Sequence, residues 1–291
     1  MNLSFTDEQN LLRDSVSKFC GSDYDFETRM KSVNSDAGHN PDHWKLFAEL
    51  GWLAIPFSEE MGGLDGGDVD LSLMFEEFGK SIVVEPYLAN VVLSGGVLKR
   101  CDLENKASLV ESLIAGEAQF SVANYEPKKG FNLDAVDSEI SSDGIVNGHK
   151  TTVLNAPNAD HFLVFGKHGS GFAFALVSKD AEGLSLTSYK TYDGFVSGDL
   201  KLENVKADAV FSKDDALAIL NEAVLEGIIS VSSEAIGAME KCYKLTIEYT
   251  QQREQFGQSL SKFQALQHRM VDMFMETEFS KSFLLKVLAT D

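Results

Sequence analysis

The residues best suited to acid–base chemistry lie in the C-terminal third of the chain. The hydrophobic period predicts a helix from 214 to 252, and one stripe of this helix is rich in small residues. A glycine inside a helix costs about 1 kcal/mol relative to alanine, so close approach by a ligand or by a neighbouring backbone must compensate. The members of the stripe are Gly227, Ser230, Glu234, Gly237 and Lys241.

Glu234 stands in the middle of this stripe and could remove a proton from a ligand. A buried carboxylate with a raised pKa can act as a general base, whereas a carboxylate with a cationic partner is a structural group. The sequence leaves both interpretations of Glu234 open. It also leaves open whether the stripe faces a ligand or a neighbouring helix.

The segment after this helix combines an arginine with amide side chains. It contains Arg253-Glu254-Gln255-Phe256-Gly257 and then Ser261-Lys262-Phe263-Gln264. An arginine at a helix C-terminus and a glycine just beyond it are common caps, and Ser261 with Gln264 has the spacing of a capping box. A guanidinium beside planar amides also suits the pyrophosphate of a nucleotide cofactor. An interhelical turn and a cofactor contact are both consistent with these residues.

The composition limits the partners that the protein can have. The 291 residues carry a formal net charge of −20, and such a surface repels nucleic acid and anionic membranes. Cys20, Cys101 and Cys242 have no disulfide or metal-ligand spacing, which is typical of a reducing compartment. The sequence shows no signal peptide and no apolar run of about 18 residues, so it predicts a soluble, cytoplasmic protein.

The absence of several motifs argues against common enzyme classes. The sequence contains no GxGxxG, P-loop, HExxH or GxSxG motif. Rossmann dinucleotide binding, nucleotide triphosphatase, zinc protease and α/β-hydrolase chemistry are therefore not predicted. The six histidines have no ligand spacing, so no metal site is predicted.

The periodicity of the sequence predicts an α+β multidomain fold with three domains. Residues 1–117 predict an N-terminal helical domain that opens with a capping box at Thr6. Residues 118–212 predict a middle antiparallel β-barrel or sheet, and residues 213–291 predict an incomplete C-terminal helical bundle. Hairpin-type turns of the β domain are predicted at Asp143-Gly144, Asn147-Gly148, 169–171 and Asp193-Gly194.

This order of domains, together with several motifs, resembles the acyl-CoA dehydrogenase family over the whole chain. Phe5-Thr6-Asp7-Glu8-Gln9 and Glu60-Met61-Gly62-Gly63 are similar to the family's first helix and its Pro-Glu-x-x-Gly-Gly-type turn. Asn147-Gly148-His149-Lys150 resembles the hairpin that enters the flavin-facing strand. The most specific match is Arg253-x-x-Phe256-Gly257 followed by Gln264, which has the family's spacing.

The resemblance implies an FAD-dependent oxidoreductase that dehydrogenates an acyl-CoA thioester, for example of a fatty acid or a steroid side chain. It implies acyl-CoA, an electron-transfer flavoprotein and the other subunits of a tetramer as partners, with no nucleic acid and no membrane. The residues that it assigns to FAD are Arg253 at the pyrophosphate, Gln255, Phe256 and Gln264 near the adenosine half, and Thr152 and Leu154 in the flavin-stacking segment.

Three departures from the family pattern concern the base and the flavin loop. The family's common catalytic glutamate lies C-terminal to the residues present, and its alternative position, counted back from the arginine, falls on Gly227. Glu234 is therefore the preferred base, and Glu226, next to the alternative position, is the second candidate. The glycine-rich flavin loop is replaced by residues 124–130, and the Trp-Ile-Thr segment is replaced by Thr152-Val153-Leu154.

These departures favour an alternative function. The chain would then be a non-catalytic partner subunit that completes the FAD site of a heteromeric acyl-CoA dehydrogenase. A flavin oxidase on the same fold is a third hypothesis, and no specific residue favours it.

Overall fold

The computed structural model of the protein describes residues 5–290. Short 3-10 turns and one π-helix, Leu88–Ser94, connect the longer helices. The α-helices are α1 (Asp7–Ser22), α2 (Phe26–Asn34), α3 (Pro41–Glu49), α4 (Asp68–Ser81), α5 (Gly95–Arg100), α6 (Lys106–Ile114), α7 (Ala216–Gln252) and α8 (Gln264–Leu288). The strands are β1 (Phe120–Ala123), β2 (Glu139–Ile140), β3 (Ile145–Leu154), β4 (His161–His168), β5 (Gly171–Ser178), β6 (Leu184–Lys190), β7 (Val196–Lys206), β8 (Ala209–Phe211), β9 (Glu254–Gln255) and β10 (Gln258–Ser259).

The order of these elements confirms the predicted fold class. Helices precede the strands of the main sheet, and two long helices follow them. Compact packing divides the chain into two units that are discontinuous in sequence. The first unit combines the chain up to Arg29, Gly67–Val83 and the chain from Ile228 onward. The second unit combines Met30–Gly66 with Val84–Gly227.

The first unit begins with the predicted capping box. The Thr6 hydroxyl accepts a hydrogen bond from the Gln9 N–H (3.2 Å), and the Gln9 side chain accepts one from the Thr6 N–H (3.0 Å). Two N–H groups that the first turn leaves without a helical partner are thereby satisfied. Val16 and Phe19 are buried on the face of α1, which packs against α4.

Helices α4 and α7 of the first unit cross with their backbones in contact. A Cβ atom at Gly79 would overlap the carbonyl oxygen of Glu234, and a Cβ atom at Gly237 would overlap the carbonyl oxygen of Glu76. The long helix predicted for 214–252 is confirmed, and at Gly237 its small-residue stripe faces a neighbouring helix. The cost of glycine in a helix is offset here by the close approach of two backbones.

We predict that Gly237→Ala lowers the free energy of unfolding by about 1–3 kcal/mol, because the added methyl group would force the two backbones apart. The matched control is Gly21→Ala in α1, where a Cβ atom would meet nothing within 4 Å. This control should gain up to about 1 kcal/mol from helix propensity alone. Equilibrium unfolding in denaturant measures both changes. Equal stability of Gly237→Ala and the parent would contradict the tight crossing.

The second unit contains an eight-stranded sheet with the order β6-β7-β3-β2-β4-β5-β8, and β1 pairs with β4. Most neighbouring strands are antiparallel, as predicted. The exceptions are β1 and β2, which both run parallel to β4. Parallel pairing needs a crossover connection, whereas the hairpin pattern in the sequence marks only antiparallel neighbours. The sheet is therefore mixed.

One of the predicted hairpin turns is wrong. Asn147-Gly148 lies inside β3 rather than between two strands. A Cβ atom at Gly148 would overlap the side chain of Ser138, so this glycine permits the close approach of a neighbouring segment. The turns at Gly144, Gly169 and Gly194 do have the left-handed φ that favours glycine.

Helix α7 is long and apolar enough to span a membrane by length and composition. Half of its most apolar stretch is buried inside the protein. A core helix satisfies the same criterion, so this property alone is weak evidence for a membrane span.

Candidate functional site

The predicted cofactor segment after α7 is a small β-hairpin. Strands β9 and β10 pair antiparallel, and Phe256 and Gly257 join them. Their φ angles of 56° and 80° are the left-handed pair that a type I′ turn requires. Gly257 therefore forms the tip of a hairpin and not the C-cap of α7, which was one of the interpretations that the sequence left open.

Gln264 does not complete a capping box. Helix α8 begins at Gln264 itself, and its N-cap is Phe263, with no side-chain hydrogen bond at the cap. Ser261 lies inside the preceding 3-10 turn, where its hydroxyl contacts the Ser259 hydroxyl (3.0 Å). The predicted capping box is wrong because this extra turn moves the serine away from the N-cap position. The exposed Gln264 amide is thus not engaged in capping.

The hairpin carries groups that fit the adenosine diphosphate part of FAD. Arg253 is exposed, and it forms no ion pair within residues 5–290. The ring of Phe256 is 91% exposed at the tip and lies edge-on to Phe263, with 6.2 Å between ring centroids. A guanidinium pairs with a pyrophosphate, and a flat ring beside Gln255 and Gln264 suits an adenosine. A phenylalanine in the left-handed region costs about 1–2 kcal/mol, and such strain concentrates at ligand sites.

In the second unit, the predicted flavin-facing residues lie at a bulge in β3. The register between β3 and β7 shifts between Lys150 and Val153. Thr152 has a φ of 53°, a conformation that is rare for a β-branched residue. Its N–H donates to the Tyr189 hydroxyl (3.2 Å) and to Asp199 Oδ1 (3.1 Å). Bulges of this kind re-aim side chains and are over-represented beside active sites.

Asp199 holds this bulge in place. Its Oδ1 also accepts hydrogen bonds from the Thr151 hydroxyl (2.8 Å) and the Tyr189 hydroxyl (2.8 Å). Partial burial by itself would raise the pKa of Asp199. The hydrogen bonds from Thr151, Tyr189 and the Thr152 N–H, together with nearby His149, outweigh burial and leave that pKa below its ordinary value. The anchor is thus an ionised carboxylate.

Leu154, like Phe256, has no hydrogen-bonding atom in its side chain. It is half-buried at the end of β3, and its carbonyl oxygen accepts a hydrogen bond from the Ser121 hydroxyl (2.8 Å). A ring placed here would meet Leu154 through apolar surface alone. At this end of β3 the sheet therefore presents the shape of the bulge, its backbone and the apolar surface of Leu154.

The loop that replaces the family's flavin loop is fixed by a buried ion pair. Lys150 Nζ lies 2.7 Å from Glu126 Oε1, and the Lys150 side chain has no exposed surface. The carboxylate also accepts hydrogen bonds from the N–H groups of Asp137 (2.6 Å) and Ser138 (2.9 Å). Burial lowers the pKa of Lys150 to about 8 despite the carboxylate beside it. Burial opposes the ionised form of Glu126, but its hydrogen bonds with Lys150, Ser138 and Asp137 prevail and lower its pKa.

We predict that Lys150→Met destabilises the protein by about 3–5 kcal/mol, because Glu126 would remain as an uncompensated buried charge. The double variant Lys150→Met/Glu126→Gln should recover much of this loss, as measured by denaturant unfolding at pH 7. Since the folded-state pKa of Glu126 is lowered, its contribution is complete above the ordinary value of 4.5. That contribution should be lost as the pH falls through the folded pKa. A double variant no more stable than Lys150→Met would contradict this account.

Glu226, one of the two predicted bases, is held by cations. Its Oε1 lies 2.6 Å from an Arg100 guanidinium nitrogen and 2.8 Å from Lys99 Nζ, and the residue is only 8% exposed. The neighbouring Gly227 packs against the π-helix, since a Cβ atom there would lie 2.8 Å from Leu93 Cδ2. At Gly227, as at Gly237, the small-residue stripe of α7 therefore packs against another part of the protein. Glu226 has the surroundings of a structural carboxylate.

Glu234, the other predicted base, lies in the first unit on the part of α7 that crosses α4. Its carbonyl oxygen meets Gly79, and its side chain is half-buried. Glu234 therefore sits at the edge of the crossing, while Gly237 lies inside it.

Sequence reasoning missed the groups that support these sites. Asp199 and Tyr189 are 47 and 37 residues from Thr152 along the chain, so no local spacing connects them. Glu126 and Lys150 are 24 residues apart, and only the pairing of the strands brings them together. Two consecutive threonines, Thr151 and Thr152, at the predicted flavin-facing position are the local sign of the bulge.

Two family models match the chain. The model "Acyl-CoA dehydrogenase, N-terminal domain" matches residues 6–117, and "Acyl-CoA dehydrogenase, C-terminal domain" matches residues 217–290. Among similar proteins, the probable acyl-CoA dehydrogenase YngJ of Bacillus subtilis is 29% identical over 98% of this chain and 80% of its own. The 3-(aryl)acrylate reductase of Clostridium sporogenes is 28% identical over 97% of this chain and 78% of its own.

Solved structures share the fold. PigA with FAD and proline superposes with a TM-score of 0.89 at 23% identity, covering 98% of this chain and 79% of that one. The ChsE4–ChsE5 complex from Mycobacterium tuberculosis superposes with a TM-score of 0.87 at 24% identity, covering 98% and 78%. At these identities the likeness establishes the fold alone.

Proposed function

The chain belongs to the acyl-CoA dehydrogenase family, and we propose that it binds FAD and dehydrogenates an acyl-CoA thioester between its α- and β-carbons. The hairpin after α7 is the observation that carries this proposal. It places an exposed arginine without an ion pair in residues 5–290 beside a strained, exposed phenylalanine. An interhelical turn needs neither feature, whereas a dinucleotide contact explains both.

When bound, FAD supplies the hydride acceptor for the β-hydrogen. The protein's own residues have two tasks. Arg253, Gln255, Phe256 and Gln264 hold the adenosine diphosphate part of the cofactor. A carboxylate accepts the α-proton of the thioester, and Glu234, on the small-residue stripe of α7, is the proposed base. The bulge that Asp199 anchors offers the surface for the ring.

We predict that Arg253→Lys lowers FAD retention while the fold persists. Lysine keeps the charge but loses the two parallel N–H donors that match a pyrophosphate, so FAD affinity should fall about tenfold. Absorbance of bound flavin after gel filtration measures retention, and circular dichroism reports the fold. The matched control is Arg269→Lys on α8, which should retain FAD as the parent does. If Arg253→Lys retains FAD as well as the parent does, the hairpin is only a connection between two helices and does not bind the cofactor.

We predict that Glu234→Gln slows substrate-driven flavin bleaching by about 10²–10⁴-fold with FAD still bound, because glutamine keeps the shape but cannot accept the proton. Glu226→Gln removes a buried carboxylate from Lys99 and Arg100, so it should lower stability instead. Anaerobic stopped-flow reduction by a panel of acyl-CoAs separates the two effects. Normal bleaching in Glu234→Gln with loss in folded Glu226→Gln would transfer the base to Glu226.

A second function is favoured by the ion pairs of Glu226 and by the packed glycine at position 227. With neither carboxylate available, the chain would complete the FAD site of a heteromeric dehydrogenase without catalysing the reaction. The similar ChsE4–ChsE5 structure is a complex of two proteins. FAD that binds to the purified chain but is bleached by no acyl-CoA, in the parent as in both glutamate variants, would establish this role.

The finer features of the function are also proposals. We propose a tetramer that passes electrons to an electron-transfer flavoprotein and works in the cytoplasm on the acyl chain of a fatty acid or a steroid. An electron-transferring flavoprotein of Acidaminococcus fermentans is among the solved structures similar in fold to this chain. The acidic surface supports a role away from nucleic acid and anionic membrane.

A further inference from the structure

The carboxylate of Asp199 holds the bulge in β3 through a single oxygen atom. Its Oδ1 accepts hydrogen bonds from the Thr151 hydroxyl, the Thr152 N–H and the Tyr189 hydroxyl. All three donors are uncharged groups. An amide oxygen could accept the same three hydrogen bonds, so the shape of the bulge requires an acceptor at this position but not a negative charge.

No salt bridge neutralises the charge of Asp199. Three other carboxylates of the second unit, those of Glu126, Asp137 and Asp160, each have a lysine nitrogen within 3 Å. Asp199 has no such partner within residues 5–290, and uncharged donors stabilise its charge without cancelling it. The bulge is therefore held by a carboxylate whose negative charge acts on its surroundings.

Two residues on the same face of the sheet carry or can carry a positive charge. Lys201 lies two residues along β7 from Asp199, and His149 is its cross-strand partner in β3. Neither forms an ion pair with Asp199 in the part of the chain that the structure describes. The attraction from His149 lowers the pKa of Asp199 less than each of the three hydrogen bonds does. These two residues thus leave the negative charge at the bulge in place.

We propose that Asp199 lowers the reduction potential of a flavin ring bound at this bulge, in addition to fixing the shape of the bulge. The inference rests on the proposed function, which puts the ring there. Dehydrogenation breaks the β-C–H bond and transfers its electron pair to the ring as a hydride, while the α-proton goes to a protein carboxylate. The ring gains one negative charge, and a fixed carboxylate beside it opposes that gain.

The charge of Asp199 acts on both halves of the catalytic cycle. It makes hydride transfer from the saturated thioester less favourable, because the ring becomes more negative in that step. It makes the loss of electrons to an acceptor more favourable for the same reason. The same charge favours the reverse reaction, in which an α,β-unsaturated thioester is reduced.

The first test removes the charge and keeps the acceptor. Asp199→Asn should raise the equilibrium constant for two-electron reduction of the bound flavin about tenfold, which corresponds to about 30 mV. Spectroscopic titration of the flavin against a redox dye of known potential measures this constant. The matched control is Glu203→Gln, which removes an exposed carboxylate from the same face of β7 about 13 Å along the strand and should leave the constant unchanged.

The second test neutralises the charge and leaves Asp199 with its hydrogen bonds. Thr187 of β6 lies directly opposite Asp199 and is exposed, so the ammonium group of Thr187→Lys can reach the carboxylate. This variant should also raise the constant, by about threefold because solvent screens the pair. Thr187→Gln, which is uncharged, is its control and should behave as the parent does. A rise in Asp199→Asn without a rise in Thr187→Lys would mean that the shape of the bulge matters rather than the charge, and would overturn the proposal.

The parent protein separates this inference from the proposed function. A parent that binds no FAD would contradict both. A parent that retains FAD, with the same potential as Asp199→Asn and Thr187→Lys, would overturn only the role of Asp199. The tests of Arg253 and Glu234 would keep their meaning in that case, because they measure retention and bleaching rather than potential.

Discussion

The contact on which the first unit depends is the crossing of α4 and α7. Two glycines, Gly79 and Gly237, bring the helix backbones together, and two buried serines, Ser72 and Ser233, share a hydrogen bond (2.9 Å). A larger side chain at either glycine would separate the helices and break the serine contact. The crossing fixes the orientation of α7 in this unit, and α7 leads directly into the hairpin that carries Arg253. The crossing of α4 and α7 therefore also determines where this hairpin, the proposed contact for the cofactor, can lie.

In the second unit, charged side chains rather than glycines hold the backbone in place. Its bulge at Thr152 is held by an ionised carboxylate, and its loop is held by a buried lysine and glutamate. A buried ion pair contributes little net stability but makes the alternative arrangements costly, because each would leave a charge without a partner. The ion pair and the two backbone hydrogen bonds to Glu126 therefore fix this loop against the sheet.

The sequence predicted the elements with strong local signals. The capping box at Thr6, the helix after 214 and the glycine turns of the sheet each depend on residues close together in the chain, and the structure confirms them. The sequence-based prediction was wrong where the local structure depends on a contact or a turn that the local pattern does not show. Asn147-Gly148 has the composition of a turn, but the approach of Ser138 explains its glycine. The Ser261-Gln264 spacing matched a capping box, but an extra 3-10 turn intervened. The cofactor residues came from the resemblance to a family, since Arg253 and Gln264 alone fit a turn equally well.

Thr152 carries a consequence for how the protein can change over time. A glycine or an asparagine would occupy its left-handed backbone with less strain, so selection for stability alone would favour either residue over the threonine. A β-branched residue persists in such a conformation where the surrounding structure holds it, as Tyr189 and Asp199 do here. The identity of residue 152 among close relatives is therefore a historical record. Lineages that keep the strained residue still require the shape of the bulge, and lineages that relax to glycine have released that constraint.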